Sequence, residues 1–133
     1  MEAQFEFDAV HRILLGRLDG RVTEEVLADF YHAIRRYSVL TDAQAAIFDF
    51  TLAHEFGISS EFIQRLARSE PAMLNVETKP TVAVIPQVHA FGLARMFQLI
   101  GERTRPLFHV VKTMDEALAI LHVQTSEFRP LDI

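Results

Sequence analysis

Six consecutive residues, Ala45-Ala46-Ile47-Phe48-Asp49-Phe50, constrain the fold of this chain more than any others. All but one are apolar and they do not alternate with polar residues. A strand built from them has both faces covered, as in a sheet with helices packed on it. Asp49 is the single charge and falls near the carboxyl end, where open α/β sheets place ligand or partner sites. After a loop, Ser59 and Ser60 are N-cap residue types, and Glu61 adds a negative charge to the first helical turn. Phe62, Ile63 and Leu66 then follow at helical spacing, with Gln64, Arg65 and Arg68 opposite. This strand–loop–helix unit is where a binding or regulatory site is expected.

Around it, short apolar runs alternate with amphipathic segments. Phe5 and Phe7 alternate with Gln4 and Glu6, and Asp8-Ala9 turns the chain into residues 10–18, which predicts an opening hairpin. Gly16 marks a bulge or a close backbone approach, and Asp19-Gly20 is a turn signal. Thr23 caps a helix with Glu24 and Glu25 in its first turn and Phe30, Ile34 and Tyr37 on its apolar face. Residues 72–74 are expected to add a turn to the helix that begins at the serine pair. Residues 81–85 and 107–111 read as further strands, and 88–103 as a helix between them. Thr113 followed three residues later by Glu116 is a capping box, opening a helix through residue 121. The order predicts an α/β fold: a mixed, mostly parallel sheet with an opening hairpin and about four helices. Residues 1–123 form one domain, and 124–133 form a tail expected to be loosely held.

On the 88–103 helix, about 100° per residue puts Val88, Leu93, Met96, Leu99 and Ile100 on the core face. Phe97 falls at its rim, and Phe91 projects near Arg95, away from the core. Such an aromatic surplus marks either a subunit interface or the cover of an apolar cavity. Phe62, Phe91, Arg95 and Phe97 are therefore the candidate interface or apolar-ligand residues.

Composition narrows the function. With 133 residues, half of them hydrophobic, the chain can bury a core without disulfides or metal. A net charge of −5 and no dominant basic cluster argue against nucleic-acid binding. There is no cysteine, hence no thiol catalysis, which fits a reducing compartment. The N-terminus lacks a signal-peptide pattern, and no apolar run approaches the ~20 residues of a transmembrane helix, so a cytoplasmic location is expected. Six histidines are present without metal-ligand spacing. No nucleophile has an evident base and orienting group, so no enzyme, metal or cofactor is expected. Asp49, His54, Glu55, Ser59 and Ser60 are the candidate partner or regulatory residues. Cap preference favours a structural role for the two serines over phosphate acceptance.

Several of these patterns resemble the STAS family of anti-sigma-factor antagonists and related domains. Gly16-Arg17-Leu18-Asp19 resembles the family's strand-end pattern, Ile47-Phe48-Asp49-Phe50 its central strand, and Ser59-Ser60 the position of its regulatory serine. Phe91 to Phe97 and Thr113 to Leu121 are similar to a bacterial STAS-like branch whose fold also approaches that of lipid-binding CRAL-TRIO domains. The run Phe56-Gly57-Ile58-Ser59-Ser60-Glu61 departs from the family's aspartate–serine turn. The resemblance implies a non-enzymatic interaction or regulatory module that binds a protein partner or itself as a homodimer. The alternative is a carrier or sensor for a small apolar ligand such as a lipid.

Overall fold

The phenylalanine alternation at the N-terminus forms β1 (Glu2–Asp8), which pairs antiparallel with β2 (Ile13–Thr23) in the expected hairpin. The computed structural model describes residues 2–72 and 78–131; the turn expected over residues 72–74 lies largely outside them. Helix α1 (Glu24–Thr41) returns the chain to β3 (Ala45–Asp49), parallel to β2. Then come β4 (Ala53–Gly57), α2 (Ser60–Arg68), β5 (Thr81–Val84), α3 (Val88–Ile100), β6 (Phe108–Val111), α4 (Met114–Ile120) and β7 (Arg129–Pro130). Among the described residues the sheet has seven strands in the order β6-β5-β3-β2-β1-β7, with β4 beside the end of β2. The α/β class, the mixed and mostly parallel sheet, the hairpin and the four helices are as expected.

Both faces of the central strands are covered, which explains their unbroken apolar sequence. Leu14, Leu18, Ala46, Phe50 and Ala83 face α1, α2 and α3. Ile13, Leu15, Ile47, Val82 and Val84 face α4 and Val123. Helix α1 lies close on β2 because Gly16 has no side chain. A Cβ there would stand 2.7 Å from Ile34 Cδ1 and 2.8 Å from the Phe30 ring. The expected caps form: Thr23 Oγ1 accepts from Val26 N at 3.2 Å, and Thr113 and Glu116 bond reciprocally as a capping box.

Four sequence expectations are corrected. Asp19-Gly20 does not end a strand. Gly20 adopts φ 84° inside β2, whose register shifts there, and the strand continues to pair in parallel with β4. β4 itself was expected to be loop; its backbone is ordered by the overhanging end of β2, a partner distant in sequence. The tail is tied down, since Glu127 N donates to Asp8 Oδ2 at 3.0 Å, β7 pairs with β1, and Phe128 packs on the α4 side. Finally, α3 turns Ala90, Ala94 and Phe97 inward, while Val88 is 86% and Leu99 62% exposed. Arg95 is the only Lys, Arg, Asp or Glu in α3, so apolar periodicity does not select a face.

Candidate functional site

Asp49 is buried at the end of β3 on the α4 side of the sheet. Its carboxylate accepts from Arg17 Nε at 3.0 Å, from Thr51 N at 2.9 Å and from the Thr51 hydroxyl. Arg17 also donates to Glu6 Oε2 at 2.8 Å, so a carboxylate–guanidinium–carboxylate row ties β1, β2 and β3 together. The Asp49 carboxylate thus has its acceptors engaged within the sheet and its following turn. His54 and Glu55 are exposed on β4, where Glu55 pairs loosely with Arg21 at 3.5 Å. No three His, Asp or Glu side chains among the described residues converge on a point that would hold a metal ion.

Ser59, rather than Ser60, caps α2. Its Oγ accepts from Phe62 N at 3.1 Å, and its hydroxyl and N–H both donate to Glu24 Oε2 at 2.8 Å. Those two donors hold the exposed Glu24 carboxyl below the ordinary glutamate range. The Ser60 hydroxyl reaches only Glu61, at 3.4 Å. Ser59→Ala should therefore destabilise the protein by about 1 kcal/mol, and Ser60→Ala by less than about 0.5 kcal/mol. Urea unfolding of the two variants separates these values.

Of the candidate apolar residues, Phe97 is buried, edge-on to Phe108 at 5.1 Å. Phe62 and Phe91 are half-buried, beneath Arg65 at 5.7 Å and Lys112 at 5.2 Å. Phe91 does not project away from the core. It sits at the margin of the inward face, because that face is centred on Ala90, Ala94 and Phe97. Arg95 is exposed and bonds Gln98.

On this side of the sheet is a cavity of about 80 Å³ whose wall is almost entirely carbon. Phe48, Phe50, Ala83 and Phe108 form its floor on the sheet. Leu27, Phe30 and Tyr31 of α1 close one side. Ile63 and Leu66 of α2 and Leu93, Ala94 and Phe97 of α3 close the others. The void exists because alanines stand at 83, 90 and 94, where larger side chains would meet across it. Phe62 and Phe91 are on the two covering helices but do not line it.

Helix α2 is fastened over this cavity by polar contacts at both ends. Ser59–Glu24 fastens its start to α1. At its end, buried Arg105 donates to Ala67 O at 2.7 Å, Ser69 O at 3.0 Å, Leu66 O at 3.3 Å and Tyr31 Oη at 2.6 Å. Tyr31 passes the chain on by donating to Glu70 O at 2.8 Å. The guanidinium also lies 4.7 Å from the centre of the Phe97 ring. Its charge thus meets the negative end of α2 and an aromatic face, in place of a carboxylate. Sequence reading missed Arg105, which lies in the 101–107 connection with no motif around it.

No protein-family model, curated protein or solved structure matches this chain.

Proposed function

We propose that this protein is a non-catalytic binding module, a carrier or sensor whose ligand is a small apolar molecule or part of an alkyl chain. The observation that carries the reading is the carbon-walled cavity beneath α2 and α3. Water gains little there, because it needs two or more polar partners, whereas an apolar cavity of about twice the volume, ~150 Å³, takes up benzene or xenon. Leaving such a void empty costs about 2 kcal/mol at the usual rate per unit volume. A single larger residue at position 83 would fill it, so an apolar occupant gives the void a use. A capping role for Ser59 fits this reading, since its hydroxyl is committed to Glu24 and to the α2 backbone. A STAS-like relationship belongs to the same proposal, supported by a hairpin that leads into parallel strands and by the short motifs in β2 and β3.

The reading is tested by Ala83→Ile, which adds carbon from a strand position where a β-branched residue is well tolerated. The variant should lose binding of a fluorescent fatty acid that the natural protein retains. Its stability should stay within about 1 kcal/mol of the natural chain, because filling offsets any crowding. Unchanged binding in a folded Ala83→Ile protein would place the ligand elsewhere.

A further inference from the structure

We infer that the outward surface of α2 and α3 docks on an anionic lipid bilayer. The choice of a bilayer over a protein rests on the apolar-ligand reading, since the cavity lies under these same two helices. Helix α3 turns Ala90, Ala94 and Phe97 to the sheet and Leu93 to the cavity, and leaves its other aliphatics to solvent. Val88 is 86%, Leu99 62% and Ile100 37% exposed. At about 100° per residue, Val88, Gly92, Arg95 and Leu99 share one outward stripe. Nothing lies within 4 Å of the point where a Cβ on Gly92 would stand, so the stripe is uncovered. A helix apolar on both sides is one that is covered on both sides.

Charge identifies the cover. Residues 60–112 hold seven Lys and Arg against four Asp and Glu, while the rest of the chain holds six against fourteen. Arg65 and Arg68 are exposed on α2, which packs beside α3, and Arg95 stands within the apolar stripe itself. Lys112 flanks α3 over Phe91. Arg105 of this group is buried, and an otherwise acidic chain thus sets Arg65, Arg68, Arg95 and Lys112 around the exposed aliphatics of α3. A bilayer with anionic headgroups answers both features, since aliphatic side chains enter the acyl boundary while guanidiniums meet phosphates. A second copy docked through the same surface would bring like charges together.

Vesicle co-sedimentation tests this, using phosphatidylcholine alone and an equal mixture of phosphatidylcholine and phosphatidylglycerol. The protein should bind the mixed vesicles, more weakly as salt rises, and leave the neutral ones in suspension. Arg95→Gln should weaken binding about fivefold, the usual contribution of one cation near such a surface. The double variant Val88→Asp, Leu99→Asp should weaken it more than about tenfold, because both aliphatic contacts are replaced by anions. Both positions are exposed, so the melting temperature should be unchanged. Equal affinity for neutral and anionic vesicles, no binding to either, or full binding by the double variant would overturn the proposal. So would a dimer that the same substitutions dissociate, which would assign the surface to a second copy. Ala83→Ile separates the two readings: it should abolish fatty-acid binding and leave vesicle binding intact. Loss of dye binding therefore bears on the cavity, and loss of vesicle binding on the outer surface.

Discussion

Arg105→Ala should destabilise the fold by about 2–4 kcal/mol, the range for leaving buried carbonyls without a charged donor. The substitution strips the Arg105 donors from Ala67 O and Ser69 O and removes the cation packed on Phe97, while Leu66 O keeps Ser69 N and the Ser69 hydroxyl. Carbonyls left without donors cost more than the net worth of the bonds they made. It also removes the guanidinium link between the far end of α2 and Tyr31, leaving the Tyr31 bond to Glu70 O. Arg105→Lys should recover less than half of the loss, because an ammonium cannot span three carbonyls and a phenol as a planar fork does. Urea unfolding at neutral pH measures both variants, and a cost under about 1 kcal/mol for Arg105→Ala would show that the Arg105 contacts do not hold α2 in place.

Asp8→Asn should cost about 2–4 kcal/mol through a similar loss. Asp8 is 1% exposed and accepts from the backbone N–H groups of Val10, His11 and Glu127, each at 3.0 Å, and from the His11 ring. An asparagine keeps the shape but offers one acceptor oxygen and turns N–H groups toward other donors. Burial pushes the Asp8 carboxyl up, yet the His11 and Glu127 backbone donors and the His11 ring outweigh it and hold its pKa below the ordinary value. A lowered folded pKa makes this stabilisation complete above the unfolded aspartate value of about 3.9. It is lost as the pH falls through the lower folded value. The gap between natural and Asp8→Asn stabilities should therefore be constant near neutrality and narrow in acid below about pH 4. Because Asp8 is also the anchor of residues 127–131, hydrogen exchange at Leu131 N, which bonds Phe5 O, should quicken in the variant.

These two side chains show where the sequence was legible and where it was not. The start of α1 could be read because its signals are local: Thr23, Glu24 and Glu25 act within one turn. The same holds for the Thr113–Glu116 box and for the apolar runs of β3 and β5, whose composition reports that both faces are covered. Signals fail where the partner is far along the chain. β4 is ordered by the end of β2, the tail by Asp8, and the end of α2 by Arg105, 36 to 39 residues away. Helix α3 misleads for a different reason. Two of its three buried residues are alanines that leave room for a cavity, and Val88 and Leu99 face outward, so hydrophobicity points to the wrong face. For the candidate site, the expectation of an apolar space under the helices bearing Phe62 and Phe91 names the right helices. Of the side chains named, Phe97 lines the space and Phe62 and Phe91 do not, because the void is shaped by the small residues Ala83, Ala90 and Ala94, which carry no functional signature.

The measurement that bears most directly on the cavity is xenon binding followed by NMR, since xenon enters apolar voids without needing a polar contact. Xenon titration should shift side-chain resonances of Ala83, Ala94, Leu93 and Leu66, saturably, and the shifts should vanish in Ala83→Ile. Shifts that do not saturate, or that centre on exposed residues such as Val88 and Leu99 and persist in Ala83→Ile, would contradict an apolar binding site between the sheet and its helices.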